Sequence, residues 1–252
     1  MAFCGLQFFE RKMIRSANPA LDSKTFCIVK GYGQESMSLQ GVVNKTIFFL
    51  IVLVSSALLL GPNIDLKSKL VFITALAGVL SLAVLTMVFK HWASILGLLF
   101  SIVIGAVMGS LVAGIETRYP GIAIQATGLT VATMGSLLFL YKTGFISPNE
   151  NLKLIVASGT MAVFIVYSIH FGLSAAGMDV LMFHESGWAG MLFSLFALSM
   201  AALNLVMDFD FIEEGVRTDC EKSMEWYAAF SLVITLVWLY FEFIHLLSKA
   251  RE

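Results

Sequence analysis

Uncharged apolar runs long enough to cross a bilayer follow one another through most of this chain, at about 46–61, 70–89, 93–115, 121–141, 154–178, 188–208 and 226–247. A membrane helix needs about 20 apolar residues, at a rise of about 1.5 Å each, to cross about 30 Å of hydrocarbon. The first run is the shortest and extends backward through Val42 and Val43. Between the runs lies turn chemistry: GPN after the first, RYPG before the fourth and SPNEN before the fifth. In lipid the backbone must satisfy its own hydrogen bonds, and the alternating pattern of a barrel is absent, so the spans are helices. The predicted class is an all-α integral membrane protein with a seven-transmembrane-helix bundle.

Composition agrees. The 252 residues are 58% hydrophobic and 13% charged, with a mean hydropathy of +0.87, whereas a soluble domain is roughly 45–50% apolar and about 25% charged. A net charge of −1 and the lack of a basic stripe exclude a nucleic-acid partner. Cys4, Cys27 and Cys220 are scattered, without metal spacing or obvious pairing. The opening MAFCGLQFFERK matches no targeting signal, and the first apolar run starts too late for a signal peptide. The expected organisation is a polar cytoplasmic N-terminal segment at 1–43 and a transmembrane domain at 44–252.

With the N-terminus inside, one face of the membrane receives Arg11, Lys12, Arg15, Lys24, Lys30, Lys45, Lys90, Lys142, Lys153, Arg217 and Lys222, against Lys67, Lys69, Arg118, Lys249 and Arg251 on the other. Eleven cations against five favour a cytoplasmic N-terminus and an external C-terminus. The third run carries Gly97, Ser101, Gly105, Gly109 and Ala113 at four-residue intervals. Such a stripe lets two helix backbones approach closely, within one bundle or between two copies of the chain.

Polar residues inside the spans are few. The first five runs contain no Asp, Glu, Lys or Arg; Asp208 closes the sixth and Glu242 lies inside the seventh. An intramembrane charge costs at least a few kcal/mol, so such groups usually face a bundle interior or a water cavity, and a protonated carboxyl avoids much of that cost. Glu242 either reaches water at the outer interface or faces inward, with His245, Trp238 and Thr235 continuing its helical face. Asp208 and Asp210 are about 200° apart on a helix, so when one faces the bundle the other points toward headgroups or the loop. Glu213, Glu214, Asp219, Glu221 and Glu225 read as a solvated charged loop, and His170 and Gln125 as polar groups satisfied by neighbouring helices. HES at 184–186 lacks the second histidine of a metalloprotease helix. No phosphate loop, nucleophile elbow or metal cluster appears, and no enzymatic chemistry is expected.

The segments NPALDSKTF, MSLQGVVNKTIFFL, ETRYPGIAIQA, DFDFIEEGVR and MEWYAAFSLVITLVWLYFEFIHLL together resemble the bacterial Bax inhibitor-1/YccA family, in its branch with an extended polar N-terminus. The likeness runs from about Met13 onward, which makes Met13 a candidate native first residue. The resemblance implies a bundle whose last helix is central, surrounded by six others. It also implies a pH-sensitive calcium leak channel, latched by an aspartate of the sixth helix sharing a proton or hydrogen bond with an aspartate of the seventh. Asp208 matches the first of these. For the second, YFEFI points locally to Glu242, while overall register points to Thr235. A turn near Gly215 with a last helix starting near Ser223 places Thr235 roughly 7 Å from the level of Asp208 and Glu242 roughly 18 Å away, which favours Thr235. Lys90 loosely matches a basic residue that relatives carry near the end of the second helix.

Two functions follow as expectations. One is a calcium or other cation leak pathway gated by Asp208, with calcium held near that residue and Glu242 as a secondary cation or proton site. The other is a non-conducting regulator that binds another membrane protein, such as a quality-control protease, through the N-terminal segment and the small-residue stripe. An intramembrane aspartyl protease fits poorly, because two catalytic carboxylates must meet around one water.

Overall fold

The computed structural model describes residues 35–64, 69–146, 148–175 and 188–251. Met13, nearly all of the expected N-terminal segment and the HES triplet lie outside the described residues. Seven α-helices follow in order: α1 Leu39–Leu59, α2 Lys69–Val88, α3 Ala93–Glu116, α4 Ile122–Lys142, α5 Glu150–Ala175, α6 Trp188–Arg217 and α7 Met224–Ala250. Among the described residues six helices are long and apolar enough to cross a membrane, and α2 is apolar from Leu70 to Val88. Among the described residues the only β-pairing is an isolated bridge between Ser36 and Glu221.

The helix ends follow local chemistry. Ser38 precedes α1 in extended conformation and its hydroxyl accepts from the Gly41 amide at 3.0 Å, one of the orphan donors of a helix start. Met37 and Val42 are buried, so the ordered bundle begins before residue 44, the expected boundary. Gly144 follows α4 with φ 72°, the left-handed geometry that ends a helix at low cost when no Cβ is present. Between α6 and α7 the turn is short. Asp219 takes φ 54°, and the Cys220 amide returns to Gly215 O at 3.1 Å.

α7 and α6 are the most buried helices. α7 packs directly against α1, α3, α4 and α6, while α2 lies against α3 and α5 against α6. Of the six neighbours that the resemblance implied for α7, four therefore pack extensively against it. Phe49, Phe100, Phe230 and Val233 fill the contact of α1, α3 and α7, and Leu205, Ile212, Leu232 and Leu239 fill that of α6 and α7. Outward faces carry large apolar side chains such as Leu58 (72% exposed) and Phe164 (65% exposed), as a lipid-facing surface requires.

The small-residue stripe of α3 is used inside the chain. A Cβ at Gly97 would meet the Phe49 ring at 2.8 Å, and one at Gly105 or Gly109 would collide with the carbonyl oxygens of Leu53 and Ala57. α1 therefore covers the stripe, and the backbones meet where no side chain intervenes. Ser101 is buried and bonds its own helix at Gly97 O (2.8 Å), while Ser56 Oγ donates across to Ile102 O at 2.6 Å.

Candidate functional site

The tight α6–α7 turn runs the two helices antiparallel and brings Asp208 opposite Thr235. The Thr235 hydroxyl donates to Asp208 Oδ2 at 2.6 Å, with its own helix carbonyl at Ser231 a longer alternative at 3.4 Å. Asp208 is 0% exposed and Thr235 2%. On the same face of α7, two turns toward the α6–α7 turn, lies Tyr227, whose ring carries the Lys90 ammonium at 5.9 Å. One turn along α6, Asn204 Nδ2 donates to Thr160 Oγ1 (2.6 Å) and to Met200 O (2.8 Å), while its buried Oδ1 meets no hydrogen-bond partner.

Glu242 is held elsewhere. Seven residues beyond Thr235, roughly 10 Å along α7, its carboxyl is fully buried and accepts from Tyr167 OH (2.9 and 3.1 Å to its two oxygens) and from Trp238 Nε1 (2.9 Å). It is enclosed rather than reaching out to water. His245, expected as its neighbour, lies against the Phe241 ring with centroids 4.3 Å apart and the planes tilted by 58°. The two acids thus have separate partners.

Asp210 does not point freely toward headgroups or the loop. Lys153 Nζ reaches its Oδ2 at 2.8 Å, and the Lys153 side chain is only 9% exposed. The reason is the length of α6, which continues as helix through Glu213 and Glu214 to Arg217 and so keeps Asp210 alongside the first turn of α5. Gln125 accepts from Arg251 at 2.8 Å, tying α4 to the chain's C-terminal end. Lys249 donates to Gly190 O (3.1 Å) and Ser194 Oγ (2.8 Å), joining α7 to the start of α6.

Glu225, expected in a solvated loop, is buried. Its carboxylate accepts from the Ser38 amide (2.9 Å) and hydroxyl (3.0 Å) and pairs with Lys45, whose ammonium also lies 5.0 Å from the Trp226 ring centroid. Outside it, Met37 N donates to Cys220 O (2.8 Å), Lys222 N donates to Glu35 O (3.0 Å), and the Lys222 and Glu35 side chains form an ion pair. Lys222 holds the Glu35 carboxyl below its usual range and is itself raised by the same hydrogen bond. These contacts clasp residues 35–38 onto the α6–α7 turn. The signals were weak: SLQG beside an acid at the start of the last helix is legible only once residues some 190 positions apart are known to meet.

Among the described residues, no group of three or more His, Cys, Asp or Glu side chains forms a metal cage. Asp208 and Thr235 bring together one carboxylate and one hydroxyl, fewer oxygens than a calcium ion takes.

Successive long apolar helices, with acids sequestered among the inner ones, make this a multi-pass integral membrane protein. The chain belongs to the Bax inhibitor 1 like family, whose sequence model matches residues 18–252. No curated protein is a significant match to the chain.

Proposed function

We propose that the chain is a cation leak pathway of the Bax inhibitor-1 type, with calcium as the favoured cargo and Asp208 as the group that lines and gates it. The observation that carries this reading is a fully buried carboxylate held by a neutral hydroxyl, Asp208 on Thr235. Buried acids inside membrane bundles mark ion or proton pathways by default. With Thr235 engaged, the passage beside Asp208 is closed by the packed α6–α7 contact. When the two side chains part, the carboxylate supplies hard oxygen ligands to a cation. A single acid binds weakly, which suits a leak rather than a store.

Relatives are described as latched by two aspartates. Two neighbouring carboxyls titrate as a coupled pair, whereas a threonine hydroxyl does not titrate in this range. On this reading the leak responds to pH less steeply than a two-acid latch, the N-terminus is cytoplasmic and the chain catalyses no reaction. Calcium flux into proteoliposomes tests it with wild type against Asp208→Asn. Flux in the wild type that changes in the variant supports the reading, and no flux in either across mildly acidic to mildly alkaline pH overturns it.

The regulator reading draws on the clasp that holds residues 35–38 against the α6–α7 turn. Deleting residues 1–34 separates the two. A leak pathway keeps its flux, whereas a regulator loses its partner.

A further inference from the structure

We propose that Glu242, with Tyr167 and Trp238, forms a proton-binding site: the carboxyl takes up a proton and stores it as the neutral acid inside the bundle. The proposal deepens the expectation that Glu242 is a secondary cation or proton site, choosing the proton, and its test does not depend on conduction.

The geometry is that of a site made for a neutral acid. Glu242 is 0% exposed, and no cation lies within ion-pair distance among the described residues. Its donors, Tyr167 OH and Trp238 Nε1, are both uncharged. Tyr167 has one hydroxyl proton and stands almost equally far from both carboxyl oxygens, at 2.9 and 3.1 Å. A proton on the carboxyl, beside the one on the phenol, would give the acid a hydroxyl of its own, so that the phenol oxygen can accept as well as donate. An unpaired carboxylate in such a place costs far more than a neutral acid, and a buried group in that position usually neutralises.

The ionisable groups on the helices around α7 leave this assignment standing. Lys249, two turns further along α7, acts on Glu242 through space but makes no ion pair with it, its ammonium being bonded to Gly190 and Ser194. His245 packs against the tilted Phe241 ring and makes no ion pair with Glu242. Glu116, at the end of α3, accepts from the Ala123 amide at 3.1 Å. On α5, His170 lies three positions beyond Tyr167, and on α7 Tyr240 lies two positions before Glu242. α6 supplies no ionisable side chain between Trp188 and Asn204, α4 none before Tyr141, and Lys45 of α1 belongs to the Glu225 clasp.

Infrared spectroscopy of the full chain in lipid vesicles reads this directly. At neutral pH the wild type and Asp208→Asn share a C=O stretching band of a protonated carboxyl that Glu242→Gln lacks, whatever band Asp208 itself contributes. Tyr167→Phe, which keeps the acid and removes one donor, shifts the band to higher frequency and so assigns it without deleting the carboxyl. Coincident spectra of wild type and Glu242→Gln in that region overturn the proposal, as does a band unmoved by Tyr167→Phe. Neither readout requires ion flux, so failure of the leak reading leaves it testable.

Discussion

Thr235 and Asp208 are joined across the α6–α7 contact by a 2.6 Å hydrogen bond with both side chains almost wholly enclosed. The acid faces an alcohol, so only one member of the pair changes charge with pH. The alcohol's proton also gives the carboxylate a donor that lipid could not provide, which lets Asp208 stay inside the bundle.

Changing this pair separates stability from gating. Thr235→Val removes the donor and is expected to cost about 1–3 kcal/mol, read as a lower midpoint of thermal unfolding in detergent. Thr235→Asp places a second carboxyl against the first, and the coupled pair should make cation flux markedly more pH-dependent than in the wild type. An unchanged pH profile in Thr235→Asp would show that this contact does not control the passage.

The α1–α3 interface predicts a contrast between glycines on one helix. Gly105→Ala drives its methyl group into Leu53 O, so α1 must shift, and the expected loss is about 1–3 kcal/mol. Gly114→Ala meets nothing within 4 Å and should be neutral or stabilising by up to about 1 kcal/mol. Thermal unfolding of the two variants side by side checks this.

The Lys153–Asp210 pair predicts an asymmetry. Asp210→Asn leaves the enclosed ammonium unpaired, whereas Lys153→Met leaves a carboxylate that is 26% exposed and keeps some water. The first change should therefore destabilise more than the second. Both should fall below the about 3–5 kcal/mol of a fully enclosed pair. The combined Lys153→Met, Asp210→Leu variant should recover most of the loss in chemical unfolding.

Much of this architecture can be read from the chain before any coordinates. Lipid leaves the backbone no alternative to helices, so each apolar run became one. A short turn and a fixed rise per residue favoured Thr235 over Glu242 as the partner of Asp208, although that count set Thr235 roughly 7 Å off level where the structure has the two bonded directly. Contacts made over long separations could not be read this way. Glu225 looks like one more loop acid, because nothing near it shows that Ser38 and Lys45 will close over it. Asp210 looks like a boundary marker for a similar reason: its partner Lys153 belongs to another helix, and charged residues do not by themselves reveal that α6 continues to Arg217. Tyr167 is hidden among apolar neighbours on α5 until it meets Glu242.

The clasp of residues 35–38 has a defined pH window. Glu35 is lowered by Lys222, so its contribution is complete above the usual carboxylate range and is lost as pH falls through the lowered value. Lys222 is raised by Glu35, so its contribution is complete below the usual lysine range and is lost as pH climbs through the raised value. Both side chains are well exposed and the effect is small. Amide hydrogen exchange at Met37 and Lys222 should be slow at neutral pH and quicken, after correction for intrinsic rates, at both extremes. In Lys222→Met it should already be quick at neutral pH.

The central claim is that the buried Asp208 carboxylate, restrained by Thr235, controls a cation pathway, and the most direct measurement is calcium flux through reconstituted wild type, Asp208→Asn and Thr235→Ala. The account predicts a leak in the wild type, a greater one in Thr235→Ala where the acid is released, and a much reduced one in Asp208→Asn. Equal flux in all three, or none in any with the protein shown to be folded and inserted, would contradict it.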